Sequence, residues 1–234
     1  MLILTIDSST KVGSVSLIND DKLVGERLLN LKLNHAPRLM PEIISIVDKC
    51  GFSREDLTGI GVTVGPGSFT GTRIGVATAK TLAQSLDIPI VGVSTLKGLA
   101  SSLKYVTGYI CPMIDARRNR VFTALYQGTG SIEEQFVSQT EESLIDIDDL
   151  LEELAEIKEP IYFVGQIVAE HRSKIEAAIE DARFVERSYQ VPRAGNLADL
   201  ALAKLVEGKE DELFELTPNY LRRSQAEIQW AANN

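Results

Sequence analysis

The chain writes one order of elements twice, and that repetition limits the fold more than any other feature. In the first half, three short strands, Leu2–Ile6, Val12–Ile18 and Lys22–Leu29, are separated by the turn-formers Asp7-Ser8-Ser9-Thr10-Lys11 and Asn19-Asp20-Asp21. Alternating apolar residues between such turns predict two hairpins in series. A helix over Pro37–Cys50 stopped by Gly51, a strand Ile60–Val64, a glycine-rich loop Gly65–Gly71 and a helix Thr72–Leu86 follow. A strand Pro89–Val93 and a short helix Thr95–Leu103 complete the unit. The second half gives strands at Tyr109–Ile114 and Val121–Tyr126, a third near Glu134–Ser138, and a helix from Asp146 to Lys158. Strand Ile161–Val164, helix Gln166–Glu180, strand Arg183–Val185 and helix Asn196–Glu207 close it. Ile6-Asp7 then Val12 matches Ile114-Asp115 then Val121, and Val64-Gly65 matches Val164-Gly165. The pattern points to an internal duplication.

A three-stranded meander followed by αβαβα, used twice, is an α/β plan of two lobes facing each other across a cleft. It is the actin-like, ribonuclease-H-like (ASKHA) architecture of duplicated βββαβαβα units. The expected division is 1–104 for the first lobe and 105–212 for the second, with 213–234 a last piece of no assigned lobe. Such a fold fixes no chemistry. Charge excludes one class of function: at net −9, the chain lacks the cationic balance that gives a stand-alone nucleic-acid binder its affinity. No apolar run reaches the ~18 residues of a membrane span, and Met1–Asp7 lacks the basic residues of a signal sequence. Two cysteines, Cys50 and Cys111, form neither a disulfide framework nor a zinc spacing. A cytoplasmic protein is expected.

Gly65-Pro66-Gly67-Ser68-Phe69-Thr70-Gly71-Thr72-Arg73-Ile74-Gly75 follows an apolar strand and opens a helix. Backbone N–H groups gather anions at such a place, although the segment has neither a Walker ending nor a dinucleotide fingerprint. The other reading of its glycines is close helix packing. Asp7 with Ser8, Ser9 and Thr10 stands where actin-like kinases keep a magnesium-ordering aspartate and phosphate-binding hydroxyls, or forms an ordinary Asx turn. Asp115 with Arg117, Arg118 and Arg120 is its counterpart, suited to phosphate, to a partner's carboxylates, or to a solvated hairpin tip. His35 and His171 have no partner spaced for metal binding or nucleophilic catalysis. Eleven acids between Glu133 and Glu159 against Lys158 alone make a solvated face that repels RNA.

The glycine-rich segment resembles the GPGSFTGLRIG signature of the TsaB (YeaZ) family, departing only at Thr72. The opening Ile3–Ser9, His35–Pro41, Asp115-Ala116-Arg117-Arg118 and Pro218-Asn219-Tyr220-Leu221-Arg222 match that family in order, so the resemblance covers essentially the whole chain. It implies a role in forming threonylcarbamoyladenosine beside the anticodon of tRNAs that read codons starting with A. The implied part is a non-catalytic subunit, without a cofactor, that binds and stabilises the catalytic paralogue TsaD, with TsaE as an associated ATPase. In TsaD a His-x-x-x-His pair after the glycine-rich helix holds the metal, and two imidazoles four apart share one helix face. Here the corresponding stretch keeps Gly98 but carries Thr95 and Leu99 in place of the histidines. Leucine cannot ligate and a lone threonine is a poor ligand, so the metal site is expected to be absent. A small ATPase or sugar kinase using Asp7, Asp115 and the 65–71 loop is the alternative reading.

The resemblance further implies one pairing surface, used for a homodimer when alone and for TsaD in the complex. On the helix Pro37–Cys50, six apolar residues fill more than the ~100° stripe that one core contact needs. Leu39, Ile43, Ile46 and Val47 are expected to face the lobe, leaving Met40 and Ile44 outside, the other reading being that all six are core. With His35 at the start of that helix and the small residues Gly75, Ala79 and Ala83 on the next one, they form the expected partner surface.

Overall fold

The computed structural model describes residues 1–30, 36–131 and 137–221. In the first half, β1 (Leu2–Asp7), β2 (Val12–Asn19) and β3 (Leu23–Asn30) are followed by α1 (Ala36–Lys49), β4 (Gly59–Gly65), α2 (Phe69–Leu86), β5 (Ile90–Ser94) and α3 (Thr95–Ser101). The second half runs β6 (Thr107–Asp115), β7 (Arg120–Thr123), β8 (Tyr126–Thr129), β9 (Val137–Ser138), β10 (Ser143–Asp146), α4 (Ile147–Leu154), β11 (Ile161–Val164), α5 (Val168–Ala178), β12 (Ala182–Phe184) and α6 (Ala194–Val206). The first sheet has the order β3-β2-β1-β4-β5. Its meander is antiparallel, with Ile3 opposite Ile18, and β1, β4 and β5 are parallel, with Val62 opposite Gly92.

The second sheet repeats this order as β10-β7-β6-β11-β12. The expected third strand near Glu134–Ser138 is displaced. Residues 132–136 lie outside the described ones, and Val137–Ser138 pairs with β8. The third place in the meander belongs to Ser143–Asp146, with Ile145 opposite Val121. The expected strand Val121–Tyr126 is interrupted because Leu125 leaves the ladder. Its N–H donates to Thr140 Oγ1 at 2.9 Å and its carbonyl accepts from Gln139 N at 2.7 Å. Chain continuing as β8 then pairs with the outer end of β6, Tyr109 opposite Gln127.

Period-2 alternation splits β1 between two cores. Leu2, Leu4 and Ile6 join α1 and α2 through Leu39, Ile43, Val76 and Ala79, while Ile3 joins Ile18, Val91 and Val93 beneath α6. Leu197, Ala198, Ala201 and Leu205 are the buried stripe of α6. Each of its two leucines contributes about 1.5–3 kcal/mol on burial. The Gly59-Ile60-Gly61 pattern permits this approach: a methyl at Gly61 would lie 2.7 Å from Ala201 Cβ, and one at Gly59 2.8 Å from Leu205 Cδ1. The exchange is reciprocal, since Leu96, Leu99 and Leu103 pack with Ile110, Phe122 and Val164 of the second sheet. The two exchanged helices cross at Gly98, where a methyl would stand 2.2 Å from Leu197 Cδ2.

Candidate functional site

The glycine-rich segment is wedged against the first hairpin turn. Ser68 caps α2, its Oγ accepting from Gly71 N at 3.2 Å, so the helix begins at Phe69 rather than at the expected Thr72. Ser68 N donates to the Ser9 carbonyl at 2.6 Å, and Ser8 Oγ donates to the Gly71 carbonyl at 2.8 Å. A methyl at Gly67 would fall 2.2 Å from Ser9 O, one at Gly71 2.1 Å from Ser8 O, and one at Gly75 2.3 Å from Ser8 Oγ. Close packing is therefore what these three glycines serve in the folded chain. Asp7 is fully buried behind them, its Oδ1 accepting from Ser9 N at 3.0 Å, Ser9 Oγ at 2.6 Å and Thr63 Oγ1 at 2.7 Å. The second hairpin reproduces the turn, with Arg117 N donating to Asp115 Oδ1 at 2.6 Å.

Between the hairpins lies a cleft of about 820 Å³. Ser9, Thr10, Gly67, Ser68, Thr70 and Arg73 line one wall, and Asp115, Arg117 and Arg118 line the other. Asp7, Ser8 and Gly71 stand behind the first of these walls, and Gly65 lies under the Asn219 carbonyl, 3.0 Å from where a methyl would be. Lys11, Arg73, Arg117 and Arg118 outnumber the acids of the lining, Asp115 and Glu170, on a chain of net −9. The second-lobe tip is costly: Arg117, Arg118 and Asn119 take φ of 64°, 57° and 60°. Each left-handed residue costs about 1–2 kcal/mol. Asn119 offsets part of this by donating through Nδ2 to Asp146 Oδ1 at 2.9 Å and Asp148 Oδ2 at 3.2 Å, while its carbonyl accepts from Ile147 N at 2.9 Å. The start of α4 thereby holds the two arginines at the cleft.

On α1, Leu39, Ile43, Ile46 and Val47 are buried, whereas Met40 is 36% and Ile44 54% exposed. The small-residue stripe is corrected. Ala79 and Ala83 are buried and Gly75 meets Ser8, because this face of α2 packs on its own sheet. The solvent face of α2 carries Arg73, Ala77, Thr81 and Gln84 instead. His35 lies outside the described residues. Sequence reasoning missed Glu142, which is half-buried against Ser94 and Asn219. One acid within a run of eleven carries no signal of its own.

Two duplicated lobes, each presenting its first hairpin turn to a shared cleft, define the actin-like ATPase fold. Component A of the (R)-2-hydroxyglutaryl-CoA dehydratase of Acidaminococcus fermentans shares that fold, with a TM-score of 0.51 and 11% identity over 88% of this chain and 99% of that one. The structure of YeaZ from Pseudomonas aeruginosa is nearer, with a TM-score of 0.77 and 23% identity over 94% of this chain and 99% of that one. The family model for TsaD, tRNA N6-adenosine threonylcarbamoyltransferase, matches residues 29–230. The tRNA threonylcarbamoyladenosine biosynthesis protein TsaB of Bacillus subtilis (strain 168) is 40% identical over 98% of each chain. The chain belongs to the TsaB (YeaZ) family.

Proposed function

We propose that the chain is a non-catalytic subunit in threonylcarbamoyladenosine biosynthesis, acting on tRNAs that read codons starting with A. In this reading it binds and stabilises the catalytic TsaD subunit in the cytoplasm, with the ATPase TsaE in the larger complex. The observation that carries the reading is the 40% identity to the Bacillus subtilis biosynthesis protein across 98% of both chains. Further support comes from Thr95 and Leu99, which stand where the resemblance puts the histidines of TsaD and are 0% and 2% exposed. Neither side chain suits a borderline metal. Contact with tRNA is indirect or weak in this reading, in keeping with the net charge of −9. Ser9, Ser68, Thr70, Arg73 and Arg117 are the proposed contacts for any anion or nucleotide entering the cleft. Met40 and Ile44 are the proposed centre of one surface serving both the homodimer and TsaD. The test is reconstitution of tRNA modification with the complete set of proteins and with each omitted in turn. Loss of product without this chain, and no ATP turnover by the chain alone, is expected. ATP turnover by the purified chain that disappears in Asp7→Ala would overturn the reading in favour of an enzyme.

A further inference from the structure

Two signature segments, 65–75 and 218–222, lie far apart in sequence, and through residues 218–221 they meet at the inner end of the cleft. After α6 the chain returns to the first sheet. Asp211 N donates to the Ile90 carbonyl at 2.9 Å, and Gly92 N donates to Asp211 Oδ2 at 2.7 Å. Lys80 Nζ then holds the carbonyls of Phe214 and Leu216 at 3.1 and 3.0 Å, and Leu216 is buried in the first core. These anchors are one backbone bridge, side-chain bonds from Asp211 and Lys80, and the buried Leu216. Beyond Pro218 one backbone bond remains and the other polar holds are exposed or half-buried side chains. Asn219 N donates to the Val64 carbonyl at 2.6 Å, and Asn219 Nδ2 donates to Glu142 Oε2 at 3.2 Å. Tyr220, 42% exposed, stacks on Phe69 at 4.8 Å between ring centroids and accepts from Arg73 Nε at 2.6 Å. Leu221 reaches the core between the lobes.

Glu142 comes from the second lobe, and its other oxygen accepts from Ser94 Oγ, the cap of α3. Tyr126 and Lys97 stand beside it, and burial holds its carboxyl above the ordinary carboxylate range. One side chain thus grips both the first lobe and the C-terminal segment. Arg73 forms a second grip from the cleft side, its guanidinium 3.8 Å from the Phe69 ring centroid.

We propose that residues 213–221 are a clasp whose two catches, Asn219–Glu142 and Tyr220–Arg73, close the inner end of the cleft over the Gly65-Pro66-Gly67 loop. The part up to Leu216 is fixed to the sheet, and Pro218, which holds its predecessor extended, marks where the releasable part begins. Opening both catches leaves the Asn219 N–Val64 carbonyl bond and Leu221 as the last holds, and their release uncovers the loop while the strand-to-strand ladder of the sheet stays intact. A ligand or partner that draws Arg73 away from Tyr220 weakens one catch, so access to the glycine-rich motif is set by what binds at the cleft rim. This device rests on contacts within the chain and does not depend on the partner reading.

Hydrogen–deuterium exchange on the full chain tests it. Tyr220→Ala is expected to speed exchange about tenfold in 219–221 and 65–72, while β1, residues 59–63 and residues 213–216 stay protected. Glu142→Ala is expected to do the same, and Glu142→Gln, whose one amide oxygen serves Ser94 while its NH2 meets the Asn219 amide, to speed exchange by a smaller factor than Glu142→Ala. Faster exchange in 219–221 with 65–72 unmoved would overturn the proposal. So would uniform loss of protection across the first sheet, or wild-type protection in Glu142→Ala. If Tyr220→Ala does not fold, Asn219→Ala and Glu142→Ala decide the matter on the same criteria.

Discussion

Gly71→Ala puts one methyl into the contact that seats the glycine-rich helix. That methyl would lie 2.1 Å from the Ser8 carbonyl oxygen, where real contacts of this kind keep 3.0 Å or more. The two backbones must separate by about 0.9 Å, a distance set by that 3.0 Å floor. Ser8 and Ser9 have no room to retreat, because the Asp7 carboxylate holds Ser9 through two hydrogen bonds and Ser68 N holds its carbonyl. Overpacking of this kind costs about 1–3 kcal/mol. Stretching the Ser68–Ser9 and Ser8–Gly71 hydrogen bonds adds about 1 kcal/mol each. Alanine recovers about 1 kcal/mol of helix propensity, so the net loss is about 2–4 kcal/mol. For a chain of this size that lowers Tm by about 4–16 °C. Scanning calorimetry at one scan rate measures it, with Gly195→Ala as control. There the methyl meets side-chain atoms alone, Glu26 Oε1 at 3.1 Å and Leu23 Cδ2 at 3.4 Å, and no backbone. A Gly71→Ala protein melting at or above the wild-type temperature would refute the packing argument and return this glycine to a ligand-binding role.

On α1, Ile44→Glu is expected to leave a folded monomer with Tm within about 2 °C, whereas Ile43→Glu unfolds the lobe by burying a carboxylate; size-exclusion and pull-down with TsaD separate the two, and a folded Ile44→Glu protein that still dimerises and still binds TsaD rejects the surface. Cys111 is buried and its thiol is pushed up to about 12, so a thiol reagent at mildly alkaline pH is expected to label Cys50 alone in the native protein and both cysteines in denaturant. Burial raises the Glu142 pKa in the folded chain. The folded state therefore keeps that proton to higher pH than the unfolded one, and stability falls as pH rises from the ordinary carboxylate range through the raised value. Glu142→Gln removes that loss, so its Tm relative to wild type is expected to rise as pH climbs above the ordinary carboxylate range; a pH-independent difference would show that Glu142 carries no such penalty.

Strands with strong alternation and flanking turn residues were legible: β1, β2 and β4 fall within a residue or two of their expected bounds. The third strand of the second meander was not, because Ser143-Leu144-Ile145-Asp146 is four residues with no alternation beyond its apolar centre. Its identity comes from pairing with β7. Period alone also divided α1 correctly, since one amphipathic helix has one buried stripe. It failed on α2, where small residues fit a sheet contact as well as an external helix and only tertiary position tells them apart. The glycines of 65–75 announced a close approach, and the residues approached, Ser8 and Ser9, lay in the adjacent motif. Glu142 was hidden among neighbours of like charge, and its meeting with Ser94 and Asn219 depends on three segments far apart in the chain.

The exchange of α3 and α6 between the lobes has a consequence for how the chain is made. A polypeptide leaves the ribosome amino end first, and every strand of the first sheet has been synthesised by Ser94. Yet the face formed by Ile3, Ile18, Val91 and Val93 has no cover until Leu197, Ala201 and Leu205 emerge. At roughly 5–20 residues per second, translating the intervening ~100 residues takes on the order of 5–20 s. During that interval the nascent first lobe shows an apolar face to solvent and to chaperones. A message cut between the two lobes therefore yields an aggregation-prone chain in place of a working half.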